Sequence, residues 1–147
     1  MANATMRKFG YPGSLVRNFE HWVVLLRPGQ VTLGSLVLAA KSDARAFGSL
    51  PAGAHAELAR ITAEIESTLQ AEIGYDQINY LMLMMVDRHV HFHVFPRYEG
   101  SRTLDQVTIS DCGWPGPPDL GSAVELPQSA FDLFLNQLMQ NWLIQRK

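Results

Sequence analysis

The sequence predicts a single α+β domain in which antiparallel strands are covered by two amphipathic helices. Three observations carry that expectation. Apolar positions recur at helical spacing over residues 51–74 and again over 127–144, short β-leaning runs stand on either side of the first of these stretches, and Gly and Pro separate elements without any repeat, low-complexity tract or Ser/Gly linker. The chain has 147 residues, 47% of them hydrophobic, which suffices for one core and is short for two, so one domain is expected over 1–147.

The first element is His21–Leu26, HWVVLL, a strand that ends at the Arg27-Pro28-Gly29 turn. Gly34 opens a second apolar run, Ser35–Ala40, close enough to pair antiparallel with the first. From Pro51 the period changes. Leu58, Ile61, Ile65 and Leu69 recur every three or four residues, Pro51 suits a first helical turn and Gly74 suits the stop. A helix of this length spans on the order of 30 Å and can cover one face of a sheet. Next come Gln77–Val86 and His89–Phe95, read as a hairpin turning at Asp87-Arg88. Arg97–Ser122 is expected to be irregular, because Gly-Trp-Pro-Gly-Pro-Pro at 113–118 suits neither helix nor interior strand. Residues Pro127–Ile144 give the second helix, with Phe131, Phe134, Leu135, Leu138, Trp142 and Leu143 on its apolar side.

Composition excludes some classes of function. Lys and Arg number 12 against 14 for Asp and Glu, a formal net charge of -2, so the chain offers no global field to hold a nucleic-acid polymer. A few local donors would still be enough for a mononucleotide or phosphate ester. Cys112 is the only cysteine and there is no Cys-x-x-Cys pair, which points to a cytoplasmic protein without disulfides. No apolar signal segment follows Arg7 and Lys8, and the longest strongly apolar run, Tyr80–Val86, is seven residues, so no membrane span is expected.

Three of the five histidines fall at 89, 91 and 93 in His-Val-His-Phe-His-Val-Phe. Strand alternation puts them on one face and Val90, Phe92 and Val94 on the other, so one side is built for burial and the opposite side for chemistry. Three readings are compatible with the row. It can be a half-buried polar face. It can contribute His89 and His91 to a metal, with Asp87, His21 or His55 as further ligands, although His93 lies about 13 Å from His89 along an extended strand and one ion cannot take all three. It can also serve phosphorus chemistry, with the neutral His91 ring attacking phosphorus and its two neighbours orienting it and contacting phosphate.

The run His89-Val-His91-Phe-His93-Val-Phe-Pro96-Arg97 resembles the signature of the histidine triad (HIT) superfamily, and the order of elements from about Ser14 to Gly100 agrees with it. The resemblance implies a HIT-like antiparallel sheet of about five strands with two main helices on one side, a core at about 14–100 and a C-terminal loop and helix at 101–147. It implies a nucleotide hydrolase or nucleotidyl transferase acting at the α-phosphate of nucleoside phosphoramidates, dinucleoside polyphosphates or similar esters, with no cofactor and no metal, usually as a homodimer. His91 is then the nucleophile that forms a nucleotidyl-histidine intermediate, His89 and His93 are its flanking partners, and Leu25, Leu26, Arg27 and Pro28 help to form the nucleoside pocket. Arg97 either steers phosphate or is a charge at a strand end.

The sequence departs from the superfamily pattern in three places. Gly34 is followed by Ser35 where many members have a fourth histidine. Leu83-Met84-Met85-Val86 stands where many have a Gly-rich loop ending in Gly-Gln-Ser or Gly-Gln-Thr. Arg27 occupies a position that is acidic or an amide in several branches and serves the ribose hydroxyls; here it could meet a phosphate. Met82, Met84 and Met85 suit core or dimer packing, or an adenine slot. Such departures bear on activity more than on fold, because a lost preorganised donor costs on the order of 10²-fold in rate. A non-catalytic nucleotide-binding module is therefore the first alternative, and a His-x-His metal protein the second.

Overall fold

The computed structural model describes residues 2–145, so the domain expected over 1–147 extends past the described residues at both ends, and the side chain of Leu143 also lies outside them. Five strands form the main sheet: β1 (Leu15–Asn18), β2 (Trp22–Leu26), β4 (Leu36–Ala40), β5 (Gln77–Leu81) and β6 (His91–Arg97). Their spatial order is β1-β2-β4-β6-β5, and every neighbouring pair is antiparallel. Between β2 and β4 a two-residue strand, β3 (Gly29–Gln30), pairs with β9 (Val124–Glu125), and β7 (Ser101–Leu104) pairs with β8 (Val107–Ser110). The α+β class, the antiparallel sheet and the two long helices agree with the sequence expectation.

The long helices are α2 (Ala52–Ile73) and α3 (Gln128–Gln145). Pro51 caps the start of α2, and Gly74 ends it in the left-handed conformation at φ +62, which costs glycine nothing sterically. Ile61, Ile65 and Leu69 of α2 and Phe134, Leu138 and Trp142 of α3 are buried, where they meet Val24, Leu26, Leu36, Leu38 and Val94 of the sheet. The Trp142 indole N–H donates to the Glu64 carboxylate at 2.7 Å, tying the two helices. Both helices lie on the sheet face that Val90, Phe92 and Val94 were expected to present.

The structure changes four expectations. A short helix, α1 (Ala4–Lys8), capped by the Asn3 side chain, packs on the opposite, histidine-bearing face, so that face is not left bare. Its Met6 and the following Phe9 form a second cluster with Val23, Leu25, Val37 and Ala39. Second, the hairpin does not turn at Asp87-Arg88: β5 stops at Leu81 and residues 82–90 make a loop before β6. Neither Asp87 nor Arg88 adopts the positive φ that a two-residue turn needs, and Met84 is the loop residue that does, at φ +43. Third, residues 101–110 form the β7–β8 hairpin rather than irregular chain, turning at Asp105, φ +54. Fourth, β1 is an additional edge strand.

Between β3 and β4, Gly34 sits at φ +96 with Ile73 and Pro96 so near that an added Cβ would come within 3.0 Å of each. The turn that contains it is shaped by Gln30, which is fully buried. Its amide nitrogen donates to the carbonyls of Arg27 (2.7 Å) and Ser35 (3.0 Å), and its amide oxygen accepts from the N–H groups of Gly34 and Ser35. Such a satisfied buried amide holds residues 27–35 in one shape, and with them the entry point of Arg27 into the site.

Candidate functional site

Strand β6 places His91 opposite Ala39 and His93 opposite Val37 of β4, with both rings on the face that α1 partly covers. The rings meet edge to face at 5.0 Å between centroids. Phe9 lies 5.8 Å from the His91 ring and 5.4 Å from the His93 ring, and Phe95 stacks on the far side of His93 at 6.0 Å. Both imidazoles are buried. A cleft of about 240 Å³ reaches them, lined by Leu83, Met84, Met85 and Val86 on one side and by Lys8 and Asp87 on another.

The hydrogen bonds assign a proton to each ring. His91 Nδ1 lies 2.7 Å from the backbone carbonyl of His89. A carbonyl only accepts, so Nδ1 carries the hydrogen and Nε2 holds the lone pair, as a nucleophile needs. His93 has the opposite tautomer. The Arg27 Nε–H donates to His93 Nδ1 at 3.3 Å, and because a guanidinium only donates, the neutral ring keeps its proton on Nε2. Burial pushes the His93 pKa down to about 4, and the positive charge of Arg27 pushes the same way against a smaller opposing pull from Asp87. The ring is therefore a neutral donor at pH 7.

His89 stands apart from the other two. It precedes β6, its Nδ1 lies 3.3 Å from the Thr5 hydroxyl of α1, and its Nε2 lies 4.0 Å from Asp43. Its contribution to His91 is the backbone carbonyl, while its ring lines a neighbouring cleft. Among the described residues no group of three or more His, Cys, Asp or Glu side chains is arranged to hold a metal ion.

The pocket expected at Leu25–Pro28 is brought to the histidines at one residue only. Alternation along β2 turns Leu26 to the helix side, where it is fully buried in the main core, and Leu25 is sealed under Met6 and Phe9. Pro28 lines a separate cleft with Gly10, Ser14 and Glu125. Arg27 does reach the site. Its Nε bonds His93, its Nη1 donates to the Gly29 carbonyl, and Glu125 of β9 acts on it electrostatically, while burial still lowers its pKa.

Arg97 is engaged by protein groups. It forms a bidentate pair with Asp111 (Nε 2.7 Å, Nη2 2.9 Å), and its remaining N–H groups donate to Asn79 Oδ1 and the Gly116 carbonyl. Both partners of the pair are buried, and Arg97 anchors the segment after β8 to the sheet. Ser35 likewise spends its hydroxyl within the turn, donating to the Thr32 carbonyl at 2.7 Å.

Sequence reasoning missed Thr5, Lys8 and Phe9, which α1 brings onto the histidine face. The available signals were Asn3 at a helix start with Met6 and Phe9 three residues apart, and the breakers Gly10, Pro12 and Gly13 after them.

No protein-family profile matches the sequence, and no curated protein is similar enough to it to be informative. Solved structures do match. A histidine triad (HIT) protein from Sinorhizobium meliloti 1021 superposes with a TM-score of 0.75 at 22% identity over 96% of each chain. A histidine triad protein from Bradyrhizobium japonicum gives 0.73 at 16% identity, again over 96% of each chain. A hypothetical histidine triad nucleotide-binding protein from Sulfolobus tokodaii strain 7 gives 0.71 at 17% identity over 97% of this chain and 91% of its own. This chain has the histidine triad fold. Among the described residues no helix is long and apolar enough to cross a membrane.

Proposed function

We propose that this chain is a histidine triad superfamily member acting as a nucleotide hydrolase or nucleotidyl transferase, with His91 as its nucleophile. The observation that carries the reading is the 2.7 Å bond from His91 Nδ1 to the His89 carbonyl, which leaves the lone pair on Nε2 beside a cleft that can admit a ligand. In the first step His91 Nε2 bonds to the α-phosphorus of a nucleoside phosphoramidate, dinucleoside polyphosphate or similar ester. The bond from phosphorus to the leaving oxygen or nitrogen breaks, and the leaving group departs with its electron pair and takes up a proton. In the second step a water oxygen bonds to phosphorus and the water loses a proton, while the Nε2–phosphorus bond breaks and its electron pair returns to His91 as neutral imidazole, so one displacement is split in two. His93, held as an Nε2–H donor by Arg27, supplies a hydrogen bond to a phosphate oxygen. The exposed apolar rim at Met85 and Val86 offers a flat contact for a base.

The reading includes a homodimer and a cytoplasmic location. For the first, β5 is an edge strand of the sheet, and a second copy would cover that edge. For the second, the free Cys112 suits a reducing compartment.

A non-catalytic nucleotide binder is favoured by one observation: the side chains of Leu83–Val86 give the cleft wall no N–H or O–H donor for a departing group. The deciding experiment is intact-mass spectrometry of rapidly quenched protein incubated with adenosine 5′-phosphoramidate or an adenosine dinucleotide, with released products measured alongside. An AMP-sized adduct or released AMP that disappears in His91→Ala is expected. Binding of AMP with neither adduct nor product would give the site to the binder, and full turnover by His91→Ala would overturn the nucleophile.

A further inference from the structure

We propose that a cationic cleft beside the histidines binds a second phosphate of the substrate, so that the leaving group is itself a phosphate or polyphosphate rather than an amine. The proposal rests on the function above for the position of the α-phosphate. The cleft has a volume of about 300 Å³, and its lining includes Lys8, Arg45, Arg88 and His89 with Thr5 and Asp87. Lys8, Val86 and Asp87 also line the His91–His93 cleft, so the two spaces share a wall. The shared wall sets the second cleft beside the one that reaches His91.

Charge favours such an occupant. Three side chains that are permanently cationic at neutral pH line the cleft against one carboxylate, in a chain whose overall formal charge is -2. Asp87 is already engaged, with each of its oxygens 3.0 Å from Lys8 Nζ. Asp43, exposed, lies 4.0 Å from His89 Nε2. Arg45 and Arg88 are exposed and pair with no carboxylate among the described residues. Two arginines that pair with no carboxylate among the described residues, contributed by separate loops, line one concavity, and guanidinium groups match the bidentate demand of phosphate oxygens. The Lys8–Asp87 pair fixes the wall between the clefts, and Thr5 Oγ1, 3.3 Å from His89 Nδ1, orients the His89 ring at its floor.

The test uses inorganic tripolyphosphate, which has no nucleoside, with the intact protein in calorimetry at low salt without divalent cations. The unmodified protein is expected to bind it, and Arg45→Gln/Arg88→Gln to bind at least tenfold more weakly. Both positions are exposed, so folding is preserved. Arg7→Gln/Arg60→Gln removes the same charge from exposed positions elsewhere and is expected to bind as the unmodified protein does. In a second arm, His91→Ala protein is expected to bind ATP at least tenfold more tightly than AMP, an advantage that the Arg45 and Arg88 substitutions abolish. No binding of tripolyphosphate, equal weakening in both double variants, or an ATP advantage that survives the two substitutions would each overturn the subsite. The two readings fail separately: an AMP adduct at His91 without a tripolyphosphate site sinks the subsite alone, and an Arg45- and Arg88-dependent tripolyphosphate site with no nucleotide turnover sinks the hydrolase reading alone.

Discussion

Acid should destabilise this protein through His93 in a window set by its burial. The ring titrates near 6.5 when unfolded and is pushed down to about 4 in the folded protein. Between those values the unfolded chain binds the proton more readily, so acidification favours unfolding. The stabilisation is whole above pH 6.5 and is lost as pH falls toward 4. Relative to pH 7 the loss is about 2 kcal/mol at pH 5 and approaches about 3 kcal/mol at pH 4. Urea unfolding at pH 7 and pH 5 reads it directly. With a slope of about 2 kcal/mol per molar urea, His93 accounts for a fall of about 1 M in the midpoint between the two. Every other titrating group is shared with His93→Gln, whose glutamine can still accept from Arg27 but does not titrate. That variant should lose about 1 M less. Equal falls for the two proteins would show that His93 is not the depressed group, and the argument for its neutral donor state would go with it.

Two further outcomes follow from the same contacts. Arg27→Met removes a positive charge and a donor from His93 but leaves its burial, so the ring's titration, followed by NMR, should rise above about 4 and stay below 6.5 because burial is the larger cause; an unmoved titration would exclude Arg27 as a cause. Asp111→Ala strands the buried Arg97 guanidinium and should cost about 3–5 kcal/mol, seen as a much lower thermal midpoint, while an unchanged midpoint would mean that the pair is not buried in solution.

The long elements were legible because each repeats a strong signal. Ile61, Ile65 and Leu69 repeat at helical spacing between Pro51 and Gly74, and the apolar runs of β2 and β4 are bounded by turn residues. The short elements gave no comparable signal. Helix α1 has five residues and is held by two anchors, Met6 and the flanking Phe9, which is less than one window of periodicity. Strand β1 has one fully buried side chain, Val16, and a register shift between Leu15 and Arg17 that breaks the alternation. The β7–β8 hairpin is mostly polar and exposed, with Thr103 and Thr108 facing each other, and it turns at an aspartate rather than a glycine. Each depends on partners far away in sequence.

At the site, alternation correctly put His91 and His93 on one face, but equal spacing does not make equal roles. His89 precedes the strand, so its carbonyl is free of the ladder partner a strand residue would have and can accept from His91, while its ring turns to Thr5. Arg27 likewise gains its role from Gln30, whose buried amide shapes the turn, and from His93, whose tautomer it sets. The consequence runs against reading Arg27 as a free phosphate ligand. Its Nε–H is already used, so the donors left for an anion are the His93 Nε2–H beside His91 and, in the adjoining cleft, Arg45 and Arg88, which pair with no carboxylate among the described residues.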